Sequence, residues 1–221
     1  RAEATTDPVP PPPPHLAARI SELSADATRA RFLAFGADPA AAELARRTVV
    51  AADATGYPPL IARAQLALGA GLEATLDNHT AATYGTAADA ALAGGDDVMF
   101  VEAFARRLYA TASLGGELAG VTAVLPVATT IAKRTGAAGA QARALLFNNA
   151  ATARLAVGDE PGAIELLRIA RRELSPAMSS SEPFVILGNL AMLVSDRRER
   201  EALFAEERAE LERTLGVEHP F

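Results

Sequence analysis

Five acidic residues divide this chain at nearly regular intervals, and their spacing limits the folds that the sequence can adopt. Asp38, Asp77, Glu117, Asp159 and Asp196 are separated by 39, 40, 42 and 37 residues. A period of this size is typical of a repeat architecture, in which each unit is one supersecondary element that stacks on the next. The sequence therefore predicts a series of stacked units.

Small residues fill most positions at three fixed distances from these acids. Small side chains at recurring offsets allow two helices to approach closely, which predicts that each unit is a pair of antiparallel helices. The last unit departs from this rule at Arg200 and Glu207, as expected of a charged terminal cap helix. The positions in the first four units are Ala42, Ala81, Val121 and Ala163 (four after the acid), Val49, Ala88, Ala128 and Ala170 (eleven after), and Ala30, Gly69, Tyr109 and Ala151 (eight before).

Composition supports an all-helical fold. Half of the residues are hydrophobic but only 5% are aromatic, so the core must consist mainly of Ala, Leu and Val. Alanine is the best helix former. We predict an all-α protein with about ten helices in five pairs and essentially no strand. The units comprise residues of about 15–56, 57–95, 96–137, 138–177 and 182–217.

Proline marks two features of the chain. Residues 7–14 read DPVPPPPP, which predicts an extended polyproline II segment because proline fixes φ and lacks an N–H group. We interpret residues 1–14 as a linker and residues 15–221 as the repeat domain; the alternative is a ligand for a proline-binding module. The chain begins with Arg1 and is expected to be part of a longer protein. Pro126 predicts a kink or a helix start in the third unit.

One unit carries a resemblance to a known repeat family. Residues 145–176 read LLFNNAATARLAVGDEPGAIELLRIARRELSP. This stretch resembles the tetratricopeptide repeat in its small residue in the first helix, its Gly-Asp turn and two alanines seven residues apart. Phe147 and Leu167 stand where that family has large side chains. The resemblance implies an α-solenoid, a right-handed superhelix of antiparallel helix pairs.

Three further segments have a narrower resemblance. PPPPPHLAARISEL, GADPAAAELARR and GYPPLIARAQLALGAGLEATLDNHTAA resemble the region that follows the kinase domain in large bacterial serine/threonine protein kinases. The resemblance implies that the parent protein is such a kinase and that this region serves interaction or sensing in bacterial signalling. It also implies a membrane-linked parent, with this region outside the cytoplasmic membrane or, alternatively, in the cytoplasm.

The sequence offers no catalytic, cofactor or metal site. It has no cysteine, and His15, His79 and His219 lack metal-ligand spacing. The sequence has no kinase signature. Gly69 and Gly71 come nearest to a nucleotide-binding glycine motif, but they lie in a predicted helix without the preceding strand that such a motif requires. Ser179 to Ser181 is interpreted as a loop. The net charge of −6 without a basic block argues against nucleic acid. The most apolar stretch, residues 118–132, is too short to span a bilayer.

The remaining candidates lie on a surface. In a superhelix of helix pairs, the first helices line the concave face, and the tetratricopeptide family presents residues about 14, 11, 10 and 7 positions before the turn acid. We expect this groove to bind a protein or an extended peptide that bears acidic groups, with Arg63 and Arg107 pairing to its carboxylates and Asn149 holding its backbone amides. The alternative is a structural spacer or oligomerisation region without a ligand. The candidate groove residues are Arg31, Arg63, Arg106, Arg107, Asn148, Asn149, Thr152 and Asn189.

Overall fold

The computed structural model describes residues 9–174 and 182–215, and these residues form α-helices without any strand. The predictions for Ser179 to Ser181, for His219 and for the ends of the chain lie outside these ranges. The helices are α1 (Ala17–Phe35), α2 (Ala40–Asp53), α3 (Pro58–Glu73), α4 (Thr80–Ala93), α5 (Asp97–Ser113), α6 (Leu118–Ala123), α7 (Leu125–Ala132), α8 (Ala140–Ala156), α9 (Glu160–Glu173), α10 (Glu182–Leu193) and α11 (Arg197–Leu215). The predicted all-α class is confirmed.

Each helix packs against its neighbours along the chain. Contacts run from α1 and α2 to α3, then through α4 to α5, from α5 to α8, and through α9 and α10 to α11. The largest apolar core joins all helices from α3 to α8, and alanine is its most frequent side chain. Consequently the helices stack in sequence order instead of folding around a single centre.

The five periodic acids share one structural role. Each accepts a hydrogen bond from a backbone N–H group at the start of the following helix, where the first N–H groups have no partner inside the helix. This N-capping explains why an acid recurs in every unit, since a negative charge is also favoured near the positive end of a helix. The bonds are Asp38 to Ala40 N (2.8 Å), Asp77 to His79 N (2.8 Å), Glu117 to Gly120 N (3.3 Å), Asp159 to Gly162 N (3.0 Å) and Asp196 to Glu199 N (2.8 Å).

Replacing Asp159 by alanine should lower the free energy of unfolding by about 1 kcal/mol, because α9 loses its side-chain cap. Asp159→Asn keeps an oxygen acceptor and should change stability much less. Urea denaturation of the three proteins measures the difference. Equal losses in the two variants would mean that the charge of Asp159, and not the cap, stabilises the chain.

Small residues lie where helices meet, as predicted. A Cβ atom added to Gly71 on α3 would approach the backbone of Ala42 on α2 to 2.9 Å. A Cβ atom on Gly69 would meet the ring of Tyr84 on α4, and Ala30 and Ala151 at the same offset are buried. The recurring small side chains therefore permit close contact between neighbouring helices.

The second helix of the third unit is interrupted, which confirms the prediction at Pro126. Helix α6 ends at Ala123, and α7 begins at Leu125 with Pro126 in its first turn. Proline has no N–H group for the bond to the carbonyl four residues earlier, and its ring crowds that carbonyl. The split gives eleven α-helices among the described residues where the sequence predicts about ten.

The turn that connects α5 to α6 in the third unit contains one residue more than the equivalent turns before Asp38, Asp77 and Asp159. At Asp38, Asp77 and Asp159, the backbone N–H group bonds to the carbonyl five residues earlier and thereby closes the preceding helix. In the third unit, Gly116 makes this bond to Thr111, and the acid Glu117 follows one residue later. Offsets counted back from Glu117 are consequently displaced by one residue on α5.

Candidate functional site

Two adjoining pockets contain four of the candidate residues that the sequence predicts. The first has a volume of about 380 Å³ and the second about 260 Å³, and both are lined by Glu73, Arg106 and Tyr109. Their other lining residues come from α1, α3, α5, α8 and α10 or from the turns after α3 and α5. We refer to these two pockets together as the groove.

The first pocket combines small residues with an apolar rim. Ala70 on α3 and Ala74 directly after this helix have short side chains, which leave open the space that larger residues would fill. Around them stand Phe35, Leu76 and Tyr109, whose exposed fractions are 84%, 75% and 39%. Large apolar side chains exposed around one concavity are typical of a binding surface.

A shared carboxylate joins two distant helices in the first pocket. Glu102 Oε1 on α5 accepts hydrogen bonds from Arg31 Nη2 on α1 at 2.5 Å and from Arg106 Nε at 3.1 Å. Burial by itself raises the pKa of Glu102, but the two guanidinium groups outweigh this effect and hold the pKa below its usual value. Glu102 is therefore ionised at neutral pH, and both arginines are already paired.

The carboxylate of Glu73 is also held by a hydrogen bond within the chain. The buried Tyr84 donates its hydroxyl to Glu73 Oε2 at 2.6 Å. Burial is the main reason that the pKa of Tyr84 is raised, and Arg106 opposes this shift while Glu73 adds to it. The phenol stays protonated and continues to donate. The four charges of Arg31, Arg106, Glu73 and Glu102 thus sum to zero within the groove.

Three asparagines form a chain of hydrogen bonds in the second pocket. Asn149 on α8 donates to the backbone carbonyl of Ala105 on α5 at 3.0 Å, and Asn148 donates to Asn149 Oδ1 at 3.0 Å. Asn189 on α10 donates to Asn148 Oδ1 at 2.9 Å. These bonds connect three helices, and among the described residues none donates to the carbonyl oxygen of Asn189.

Six of the eight predicted groove residues belong to this surface or adjoin it. Four line the pockets, and the other two touch Asn148: Asn189 through its amide, and Thr152 through a bond of 3.4 Å to the Asn148 carbonyl. The four lining residues are Arg31, Arg106, Asn148 and Asn149.

Arg63 and Arg107 lie elsewhere. Arg63 is exposed on α3 and lines neither pocket. Arg107 lies against α4, since its guanidinium carbon would be 3.4 Å from a Cβ atom on Gly85. The extra residue in the turn between α5 and α6 explains why the predicted groove position of Arg107 is wrong. An error of one residue rotates a side chain by about 100° around a helix.

Sequence reasoning missed Glu73, Glu102 and Tyr109. With the turn between α5 and α6 counted from Gly116, Tyr109 takes the same offset as Arg31, Thr152 and Asn189, and Arg106 takes that of Asn149. The Gly115-Gly116 pair before Glu117 is the signal that could have corrected the register. No comparable signal identifies Glu73, whose position follows from its bond to Tyr84.

In comparisons with protein families, with curated proteins and with solved structures, nothing matches this chain. Within residues 9–174 and 182–215, no group of three His, Cys, Asp or Glu side chains is arranged to hold a metal ion. None of the helices in these ranges combines the length and apolarity that crossing a bilayer requires. The groove therefore provides the basis for inferring a function.

Proposed function

We propose that this chain is a protein-interaction or sensing module that binds an extended segment of a partner in the groove. The observation that carries this proposal is the continuity of two pockets through Glu73, Arg106 and Tyr109 along a run of first helices. Polar and apolar side chains of these helices line the groove, while the opposite faces of the same helices are buried in the core. A surface built in this way suits an elongated ligand better than a small molecule.

The groove favours an uncharged segment with a large apolar side chain. An acidic partner would need free guanidinium groups, but Arg31 and Arg106 are paired with Glu102. A ligand carboxylate would have to compete with this existing ion pair. By contrast, Phe35 and Leu76 expose apolar surface that a Leu, Met or Phe side chain could cover at about 25 cal/mol per Å².

Asparagine supplies the second element of recognition. Within residues 9–174 and 182–215, no residue pairs with the carbonyl oxygen of Asn189 or the second N–H of Asn148, so these groups could pair with the amide and carbonyl groups of an extended backbone. An extended chain advances about 3.3 Å per residue, so a short extended segment could contact both the apolar rim and these amides. Backbone pairing of this kind gives affinity without demanding a particular sequence.

We further propose the tetratricopeptide-like arrangement, a right-handed superhelix of five antiparallel pairs with α11 as the charged cap. The five capping acids and the small residues at helix contacts support it. The resemblance around the GYPPL segment is the basis for assigning the module to a bacterial serine/threonine protein kinase.

Selection of random dodecapeptides on the purified chain tests the proposal. We expect enrichment of uncharged peptides that contain a Leu, Met or Phe anchor. Phe35→Ser should weaken their binding about tenfold, because the rim loses apolar contact area worth about 1.5 kcal/mol. Fluorescence titration of a labelled selected peptide measures this change.

Phe32→Ser is the matched control, since Phe32 is 76% exposed on the same helix but lines neither pocket. It should leave binding unchanged. Affinity should also vary little between about 0.05 and 0.5 M salt, whereas recognition of carboxylates would weaken with salt. Selection of acidic, salt-sensitive peptides would contradict the apolar ligand. Failure to enrich any peptide would favour the alternative, a structural spacer or oligomerisation region.

A further inference from the structure

The proline-rich segment and the GYPPL segment are 47 residues apart in sequence, yet the structure brings them into contact. Tyr57 of the GYPPL segment donates its hydroxyl to the backbone carbonyl of Pro10 at 2.6 Å. Neither element takes part in the groove. The contact therefore assigns a role to two sequence features that peptide binding leaves unexplained.

Tyr57 is held in place before it reaches the proline segment. Its N–H group donates to Thr55 Oγ1 at 3.2 Å, and its carbonyl accepts from Leu60 and Ile61 in the first turn of α3. The side chain packs against a core cluster that contains Ile20 and Leu60. Because both backbone and ring are fixed, the hydroxyl is presented at one position, and little entropy is lost when it bonds.

The proline segment has carbonyl groups that need an external donor. Pro13 has φ −54° and ψ 133°, which is the polyproline II conformation. A run of prolines has no N–H groups, so its carbonyls cannot pair within the segment. Tyr57 pairs the carbonyl of Pro10, and Leu16 N pairs that of Pro13 at 2.9 Å immediately before α1. The segment is consequently fixed at both ends.

We propose that Tyr57 and its surroundings form a binding site for a polyproline II segment, and that residues 10–13 of the same chain fill it. Pro12 and Pro13 are half-buried in this arrangement. The prolines then act as a rigid extension of the repeat domain with a fixed direction, and the docked carbonyls are withheld from proline-binding modules. A ligand supplied by the same chain has a high effective concentration, so it remains bound despite a small contact area.

Distance measurements between two spin labels test the site. The chain has no cysteine, so Val9→Cys and Val50→Cys provide the only two attachment points; both positions are exposed, one in the segment and one on α2. We expect a narrow distance distribution in the parent chain. Tyr57→Phe removes only the hydroxyl and should lower the ratio of docked to undocked molecules about fivefold, as expected for the loss of one net hydrogen bond.

Tyr109→Phe is the control, because Tyr109 lies in the groove and is not bonded to the proline segment. It should preserve the narrow distribution. A broad distribution in the parent chain itself would overturn the proposal without reference to any variant. An unchanged ratio of docked to undocked molecules in Tyr57→Phe would show that the hydroxyl does not hold the segment. Circular dichroism of each labelled protein verifies that the helices are intact.

Discussion

Replacing Gly69 by alanine is expected to lower the free energy of unfolding by about 2–3 kcal/mol. The new Cβ atom would lie 2.4 Å from Cε1 of Tyr84, a distance that real Cβ atoms do not adopt. Tyr84 is completely buried, and its hydroxyl is bonded to Glu73. The ring could therefore move away only by disturbing the core between α3 and α4 and by straining that hydrogen bond.

Gly188→Ala provides a matched control for Gly69→Ala. Gly188 has the same offset in the last unit, but its added Cβ would meet Glu207 Oε1 at 2.8 Å, the free end of a flexible side chain. Alanine also improves helix propensity by about 1 kcal/mol, so stability should stay constant or rise slightly. Urea denaturation compares the two variants. If both are tolerated equally, close packing against Tyr84 does not explain the glycine at position 69.

The helical class and the positions of the turns could be predicted because their causes are local. An acid that caps a helix acts on N–H groups two or three residues away, and a proline interrupts the helix in which it stands. Asp77 and Pro126 illustrate this: each determines its helix start through neighbours in sequence. Such signals are readable without any knowledge of tertiary contacts.

The register of α5 could not be predicted with the same certainty. Glu117 caps α6 as the other acids cap their helices, so it looks equivalent to them in the sequence. The additional residue is absorbed before it, where Gly115 adopts φ 75° and Gly116 closes α5. A displacement of one position was sufficient to place Arg107 against α4 and to bring Tyr109 into the groove.

The electrostatic state of the groove is likewise a property of the folded chain. Arg31 and Glu102 are 71 residues apart, and only the packing of α1 and α5 on either side of the small residues of α3 allows them to meet. From the sequence, Arg31 looks like a free cation that could attract an acidic ligand. The structure shows it paired, and this pairing is why we favour an apolar anchor.

Replacing Glu102 by glutamine should lower the free energy of unfolding by about 2 kcal/mol at neutral pH. The side chain keeps its shape but loses the charge that Arg31 and Arg106 share, so both guanidinium groups lose their hydrogen-bonded counter-ion. The side chains of Glu102, Arg106 and Arg31 are 22%, 24% and 35% exposed, so water compensates part of the loss. Urea denaturation of both proteins at pH 7 measures it.

The pH dependence of this difference identifies the ion pair as its cause. The pKa of Glu102 in the folded chain lies below its ordinary value of 4.5, so its contribution is complete above that value and disappears as the pH falls through the lower, folded value. The stabilities of the parent chain and Glu102→Gln should converge in acid. Glu43→Gln, which removes the exposed Glu43–Arg47 pair, should change stability by less than about 0.5 kcal/mol at pH 7. A Glu102→Gln deficit that persists below pH ~2 would mean that shape or hydrogen bonding, and not the charge of Glu102, stabilises the contact between α1 and α5.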